Sequence, residues 1–361
     1  MKPPLVTICL ITYNYARLLE KVVQSLINQS YPNTQIIISD DQSTDNTQEV
    51  VKKIQSKNPE IIYRKNIRDL KTSGFHDVSV KNIQTAKKTF DAAFNHCNSL
   101  ITSGVISTEF VIFCHQDDIY HHDIVKKELE FLLAHPDVPA VFALGNIING
   151  QDKIVGAYKL PPELHGRNVY TFEEIFNAIL NHGNTFLIAP TFMARKKVFD
   201  VVGLFDDHGP FGGSDDLEMW LRISEKFPIG IIHENLINWR KGGRGAKYNQ
   251  LRTDKADFFK VVDYYLENKN YITTIDQKHL RQYAYQKDFD DTLQAMNFLI
   301  KGQESEAKNI INHSFSFKIL QAFFENMNIL RVKVLALKII LFIGINLGLG
   351  KYLGKILYKL V

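Results

Sequence analysis

The chain has 361 residues, of which 45% are hydrophobic, a composition typical of a globular protein with a substantial core. Disorder as the main state is therefore excluded. Three cysteines are too few for a disulfide framework, and the starting segment MKPPLVTICLITYN lacks the small-residue cleavage site of a secretory signal. We expect a protein of a reducing compartment whose first residues form a strand of the fold.

The positive charge is concentrated at the C-terminal end. The formal net charge is +4, whereas the segment from Asn326 onward carries six basic residues and no acidic one, so the rest of the chain is net negative. This asymmetry argues against nucleic-acid binding. It favours contact with an anionic surface such as a membrane.

The first half of the sequence alternates short β-rich runs with helical patterns, which predicts βαβ units around a mostly parallel sheet. LVTICLIT is the first predicted strand, and the apolar residues of ARLLEKVVQSLINQ recur at helical spacing. Further predicted strands are TQIIISDD, EIIYRK, EFVIFCHQDD and VPAVFALGNII; further predicted helices are TDNTQEVVKKIQS, residues 83–101 and DIVKKELEFLLAH. TFLIAPTFMARKKVFDVVG predicts a strand that runs into a helix.

From about residue 250 the pattern is helical to the end of the sequence. We expect residues 1–247 to form an α/β domain, 248–328 a helical region and 329–361 a basic, apolar tail. Within the tail, the longest uncharged run spans residues 339–350, short of the roughly 20 residues that a membrane-spanning helix needs.

The tail separates its lysines from its apolar residues. Lys351, Lys355 and Lys359 fall on one side of a helix, and the opposite side is apolar, with Leu353, Ile356, Leu357 and Leu360. This layout favours a helix lying in a lipid interface. The alternatives are a helix packed on the protein body, or an inserted segment at 335–349 with Lys338 reaching to the interface.

Three polar clusters, TYN, SDDQSTDNT and HQDD, follow predicted strands. Because ligands of open α/β sheets bind at the carboxyl ends of strands, we expect these clusters to share one edge. In the second cluster, Asp40 and Asp41 repel each other unless a donor such as a base N–H is bound nearby. The alternative is a turn and helix cap that needs no ligand.

The cluster HQDD carries the adjacent acids Asp117 and Asp118. A carboxylate pair suits Mg²⁺ or Mn²⁺, which keep few protein ligands and take the others from phosphates. Zinc would need three or four N or S ligands, which the sequence does not clearly supply. The alternative is a capped turn before a helix from Asp123, with His121 and His122 exposed at its first turn.

A fourth cluster, SDDLEMWLRI, places Asp215 and Asp216 in the first turn of a predicted helix. Acids there pair favourably with the helix N-terminus and need no further function. In the functional interpretation, one of them is a general base. Downstream, WRKGGRGAK carries Lys241, Arg244 and Lys247 in a glycine-rich segment that could close over phosphates or be a solvated linker.

These clusters, in this order and spacing, resemble the family 2 glycosyltransferases, inverting nucleotide-sugar enzymes with a GT-A fold. VTICLITYN, the segment ending in IIISDDQSTDNT, EFVIFCHQDDIY and VGLFDD…SDDLEMWLR carry the resemblance over about residues 5–245. It implies an α/β, Rossmann-like GT-A fold with a mostly parallel central sheet flanked by helices, followed by an all-helical C-terminal region.

The resemblance also implies a function. We expect metal-dependent transfer of a sugar, hexose-like, from a nucleoside diphosphate sugar, with UDP favoured, to a hydroxyl of a glycan or lipid-linked acceptor. The implied cofactor is Mn²⁺ or Mg²⁺. The expected setting is bacterial surface polysaccharide synthesis, in the cytoplasm at the inner face of the cell membrane. Alternatives are a non-catalytic, membrane-associated nucleotide-sugar-binding module and a metal-dependent nucleotidyltransferase.

Residue roles follow from the same resemblance. Asp117 matches the metal-binding acid of the DxD motif, and Asp216, paired with Asp215, matches the acid that deprotonates the acceptor. The expected nucleotide-sugar site comprises Thr12, Tyr13, Asn14, Asp40, Asp41, His115 and Asp118, and the expected acceptor and phosphate region comprises Trp220, Arg222 and Arg244. The chain departs from the family pattern at His115, at Asp215, which replaces the usual Glu, and at Phe94, where an Arg is common.

Overall fold

The chain divides into two compact units. One comprises residues 1–176 and 184–244, and the other comprises residues 177–183 and 245–361. The computed structural model describes residues 3–66, 95–206, 211–242, 251–313 and 316–360. The predicted boundary at Lys247 therefore lies outside the described residues. The predicted helical region and tail belong to the same unit.

The first unit is built on a mixed ten-stranded sheet. Its strand order is β3-β2-β1-β4-β9-β6-β10-β5, with β7 added to β6 and β8 added to β10. In chain order the strands are β1 (Val6–Thr12), β2 (Thr34–Asp40), β3 (Ile62–Lys65), β4 (Phe110–His115), β5 (Ile119–Tyr120), β6 (Ala140–Ile148), β7 (Ile154–Ala157), β8 (Val169–Tyr170), β9 (Met193–Arg195) and β10 (Ile229–Arg240).

Four neighbouring strands place their carboxyl ends at one edge. β1 pairs in parallel with both β2 and β4, and β2 pairs in parallel with β3. In this register Thr12 lies opposite Asp40, and Ile11 lies opposite His115. The expectation that the three N-terminal polar clusters share an edge is confirmed.

Helices cover the sheet because their apolar residues recur at helical spacing. In α1, Leu19, Val22, Val23 and Leu26 are buried in the core that includes the β1 strand. The helices up to residue 244 are α1 (Ala16–Ile27), α2 (Thr47–Gln55), α3 (Ile124–Ala134), α4 (Phe172–His182), α5 (Val198–Val202) and α6 (Asp215–Ser224). Residues 177–182 of α4 belong to the second unit. Residues 95–102 are also helical.

The sequence interpretation missed β10 and overestimated β9. β10 is 12 residues long and pairs in parallel with β6, but its exposed centre, residues 233–235, interrupts the apolar pattern with polar side chains and a register shift. In the TFLIAPTFMAR segment only the three residues of β9 form a strand. Pro190, which has no N–H for a ladder, lies in a 3₁₀ turn just before it.

The second unit is helical, as predicted. α8 is its longest helix at 24 residues, and α9, α10, α11 and α12 each pack against it. The bounds are α7 (Asp257–Asp263), α8 (Gln277–Ile300), α9 (Glu304–His313), α10 (Phe317–Glu325), α11 (Ile329–Asn346) and α12 (Gly350–Leu360). None of the helices that the structure describes has the length and apolar character needed to cross a membrane.

Candidate active site

The end of β1 is tied to the loop that follows β4. The Thr12 side chain is fully buried, and its hydroxyl donates to Oε1 of Gln116 over 2.9 Å. The backbone N–H of Tyr13 donates to the same oxygen over 2.7 Å. One amide side chain therefore sets the spacing between two of the polar clusters. Sequence reasoning missed Gln116, although it lies between two residues that were singled out.

Asn14 joins the first polar cluster to the second. Its φ is +47°, a left-handed conformation that asparagine tolerates better than most residues. Its Oδ1 accepts from the backbone N–H of Thr44 over 2.6 Å, and its own backbone N–H donates to the hydroxyl of Ser43 over 2.8 Å. Asn14 therefore holds the loop after β2 against the end of β1.

Asp40 finds its donors within the protein. The carboxylate is fully buried, and Oδ1 accepts from the backbone N–H and the hydroxyl of Ser43 over 2.9 and 2.5 Å. Its Oδ2 accepts from the hydroxyl of Tyr63 over 2.7 Å. The idea that this acid needs a bound ligand for its donors is therefore wrong, because a turn and a tyrosine supply them.

Asp41 lies beside Asn66, a residue that the sequence interpretation did not consider. Asp41 is 4% exposed, and its Oδ1 accepts from the Asn66 side-chain amide over 3.0 Å. Asn66 follows β3, so it belongs to the same sheet edge as the other clusters. Its own Oδ1 is buried without a hydrogen-bond partner among the described residues. The signal was available in the sequence as a polar residue directly after EIIYRK.

The loop after β4 gathers three metal-binding groups. His115, Asp117 and Asp118 each offer one ligand atom, and these atoms lie within 4.8 Å of one another. Asp118 is 1% exposed, and its Oδ2 has no partner among the described residues. Burial, and then the neighbouring Asp117, raise the pKa of Asp118. The two carboxylates of this group suit Mn²⁺ or Mg²⁺, which prefer oxygen ligands.

Arg240 holds this loop in place. Its backbone N–H donates to Oδ1 of Asp118 over 2.8 Å, and its Nε donates to the backbone carbonyl of Asp117 over 2.8 Å. The buried guanidinium also donates to the carbonyl of Asn149 over 2.9 Å and pairs with Asp152 at 2.5 Å. Sequence reasoning missed this residue because β10, which ends at Arg240, was not predicted.

The second acidic pair lies at the start of α6. Asp215 is 2% exposed, whereas Asp216 is half-buried, and its Oδ1 accepts from the Leu217 backbone N–H over 2.7 Å. Burial raises the pKa of Asp216 to about 6, against the opposing effect of the backbone N–H groups at Leu217 and at Asp216 itself. At neutral pH such a carboxylate is mostly ionised, and it can accept a proton.

The histidine pair beyond the loop forms a separate, exposed group. His121 and His122 are both exposed and lie directly before α3, as the alternative interpretation expected. They and Asp123 also have ligand atoms within 4.8 Å of one another. However, Asp123 already accepts from the Ser30 hydroxyl over 2.6 Å and lies 3.1 Å from Nε2 of His122.

Most of the sequence that forms this site matches a known protein family. The model described as glycosyl transferase family 2 matches residues 7–203, more than half of the chain, including the polar clusters at the ends of β1, β2 and β4. The chain belongs to glycosyl transferase family 2. The resemblance noted in the sequence is confirmed.

Individual relatives of this family 2 member are distant. An uncharacterized glycosyltransferase of Nostoc sp. is 27% identical over 55% of this chain and 52% of that protein. Chondroitin synthase of Pasteurella multocida is 22% identical over 86% of this chain and 29% of that protein. The chain thus spans about half of the Nostoc relative and less of the synthase. The UDP-Glc:alpha-D-GlcNAc-diphosphoundecaprenol beta-1,3-glucosyltransferase of Escherichia coli is 23% identical over 65% of this chain and 75% of that protein.

One solved structure shares the fold of this chain. S. aureus TarS superposes with a TM-score of 0.52 at 13% sequence identity, over 94% of this chain and 54% of that one. The expected GT-A fold is thereby confirmed.

The residues expected near the acceptor have structural contacts in this family 2 chain. Trp220 is 2% exposed, and its ring packs on Phe192 at a centroid distance of 4.1 Å, so an acceptor could reach the indole only if these rings moved. Arg222 pairs with Glu218 at 2.7 Å and donates to the backbone carbonyl of Val202 over 2.6 Å. Arg244 and Phe94 lie outside the described residues.

Proposed function

We propose that this chain transfers a sugar from a nucleoside diphosphate sugar to a hydroxyl of a glycan or lipid-linked acceptor, with inversion at the anomeric carbon. The observation that carries the proposal is the convergence of the Asp41 and Asp117 loops at one sheet edge, in a chain of family 2. The relatives' names, which include a UDP-glucose-dependent transferase and a chondroitin synthase, support a polysaccharide or lipid-linked acceptor.

The nucleotide end of the donor is assigned to the β1 and β2 loops. Asp41, whose Oδ1 accepts from the Asn66 side-chain amide, can also accept from a base N–H, as the imide of uracil offers. Tyr13, held by Gln116 through its backbone, supplies a ring at the end of β1 for the base or ribose. These groups favour UDP as the nucleotide.

The diphosphate end is assigned to the loop after β4. His115, Asp117 and Asp118 would hold Mn²⁺ or Mg²⁺, and the bound ion would supply positive charge for the diphosphate leaving group. Arg240 fixes the loop from behind through its bonds to Asp117 and Asp118. The protein thus prepares the position of the two acids before the donor arrives.

The acceptor end is assigned to the start of α6. Asp216 takes the proton of the attacking hydroxyl as its oxygen forms the bond to the anomeric carbon, a role worth roughly 10²–10⁴ in rate. Because its pKa is about 6, Asp216 is mostly ionised at neutral pH and can take this proton. Attack from the face opposite the departing diphosphate inverts the anomeric centre.

Calorimetry with UDP-sugars, with and without Mn²⁺, tests donor binding, and release of nucleoside diphosphate tests turnover. We expect Mn²⁺-dependent binding of at least one UDP-sugar and a transferred sugar of inverted configuration by NMR. If a UDP-sugar binds but no class of acceptor leads to release of nucleoside diphosphate, the non-catalytic module is favoured. Release of inorganic diphosphate from a nucleoside triphosphate and a sugar phosphate would favour the nucleotidyltransferase.

A further inference from the structure

Helix α11 directs charged side chains into the helical unit. Lys338 is 2% exposed and forms a buried ion pair with Asp288 of α8. Arg331 is 9% exposed and donates to the side-chain oxygen of Gln282 over 2.7 Å. Its guanidinium also lies 4.1 Å from the ring centroid of Tyr285. Two of the three cations of this helix therefore serve internal contacts and are not available to a surface ligand.

The outward side of the same helix is apolar. Ile339, Ile340 and Ile343 are 42, 52 and 51% exposed, and Val332 is 47% exposed. An ordinary surface helix keeps its apolar residues inside, whereas α11 is apolar on its outward side as well as at its buried Val334, Leu341 and Ile345. Sixteen of the 22 large hydrophobic residues that are exposed in the described part of the chain lie between residues 317 and 358. Apolar surface of this kind marks an interaction site.

Helix α12, which follows α11 in the chain and packs against it, carries exposed positive charge. Its Leu353 and Leu357 pack against the core of the helical unit, so these two of the residues that the sequence assigned to lipid are covered by protein, whereas Ile356 is 56% exposed. Its outward residues include the three lysines Lys351, Lys355 and Lys359, which are all exposed. Tyr352 and Tyr358 of the same helix are both about two-thirds exposed. Tyrosine is enriched at membrane interfaces.

We propose that the outward face of α11, flanked by the lysines of α12, rests on an anionic phospholipid bilayer. Charge selects this occupant: residues 326–361 contain six basic residues and no acidic one. A second copy packed on the same face would oppose lysines to lysines with no acid in either segment to compensate them. The apolar side chains of α11 would enter the acyl boundary, while the lysines of α12 reach the headgroups.

Vesicle flotation of the full chain tests the proposal without any sugar nucleotide, so its outcome is independent of the proposed function. We expect binding to vesicles of equal parts phosphatidylglycerol and phosphatidylcholine and little binding to phosphatidylcholine alone. The double variant Ile339→Glu/Ile343→Glu should lose binding. The triple variant Lys351→Gln/Lys355→Gln/Lys359→Gln should weaken it about 100-fold.

Matched controls come from other parts of the helical unit. Ile272→Glu replaces an isoleucine that is 45% exposed outside α11, and Lys278→Gln/Lys301→Gln/Lys308→Gln removes three exposed lysines elsewhere; both should bind as the parent does. Because every replaced side chain is exposed, circular dichroism should show an unchanged fold. Binding that ignores the phosphatidylglycerol content, or that survives the isoleucine changes, overturns the proposal. So does a dimer, detected by light scattering, that Ile339→Glu/Ile343→Glu dissociates.

Discussion

The backbone N–H of Arg240 donates to Oδ1 of Asp118 over 2.8 Å, which fixes the last residue of β10 to the loop after β4. The same residue's Nε binds the carbonyl of Asp117. The end of β10 and the loop after β4 thus form one unit around the acidic cluster, although Arg240 and Asp118 are 122 positions apart in sequence.

Arg240 should behave as a positioning residue for the metal site. Arg240→Ala removes the side-chain bonds that hold the Asp117 carbonyl, so we expect Mn²⁺ affinity to fall about 10–100-fold, as for other residues that orient metal ligands. Arg240→Lys can keep the ion pair with Asp152 but not the Nε bond, so its Mn²⁺ affinity should lie between those of Arg240→Ala and the parent. Calorimetry with Mn²⁺ and UDP measures the effect. The exposed Lys153, next to Asp152, is changed to Ala as the control. Equal Mn²⁺ affinity in Arg240→Ala and parent would contradict the role.

The acids of the same loop should carry the metal dependence. Asp117→Ala and Asp118→Asn should each abolish the part of donor binding that depends on Mn²⁺, because each removes one carboxylate from the three-residue cluster. The control is His121→Ala/His122→Ala, which removes the exposed imidazoles of the second cluster and should leave donor binding unchanged. If the histidine variant loses the Mn²⁺ effect and Asp117→Ala keeps it, the assignment of the metal is reversed.

Asp216 should set the acid limb of the pH profile. A base must be ionised to act, and burial raises the pKa of Asp216 to about 6, so kcat/KM should fall as the pH drops through about 6. Asp216→Asn should abolish transfer and leave UDP binding within about twofold. Steady-state kinetics across pH, paired with calorimetry, separates the two effects. Full activity in Asp216→Asn would rule out this base.

Glu128 should make the fold less stable as the pH rises. It is fully buried on α3, and burial raises its pKa well above the usual 4.5, while neither carboxyl oxygen has a partner among the described residues. The folded state then holds a proton that the unfolded state releases, so this group costs stability increasingly as the pH rises above 4.5.

Glu128→Gln should remove that cost. Urea denaturation at several pH values should show the variant gaining stability over the parent toward neutral pH and little difference near pH 4. The exposed Glu130→Gln on the same helix is the control. A parallel pH dependence in parent and Glu128→Gln would show that this carboxyl does not titrate differently in the two states.

The buried pair Lys338–Asp288 should couple the last part of the chain to α8. Lys338→Met leaves a buried carboxylate without its cation and should lower the free energy of unfolding by about 3–5 kcal/mol. Lys338→Met/Asp288→Leu should recover most of that loss, because both charges are gone. Urea denaturation measures the cycle, and the exposed Lys333→Met on α11 serves as the control. Additive losses in the double variant would mean that the two side chains do not interact.

The sequence alone determined the sheet edge, because alternating strands and helices force the carboxyl ends of neighbouring parallel strands together. It therefore predicted Thr12, Asp41 and Asp117 as neighbours along one edge. It did not show what Gln116, Asn66 and Arg240 bind, since the partner of a hydrogen-bond donor or acceptor is recognised only when the chain is folded. β10 was missed for a related reason: polar residues interrupt its apolar pattern, and pairing with β6 overrides that local signal.

The tail shows the same division. Its composition established that the last 36 residues are basic and apolar, which favoured an anionic surface. Only the tertiary structure decided which side chains remain available for it. Packing against α8 and its neighbours uses Lys338 and Arg331 for internal bonds and Leu353 and Leu357 for the core. It leaves Ile339, Ile340 and Ile343 of α11 outside. A helical wheel shows which residues share a side, but burial depends on what the rest of the chain places against that side.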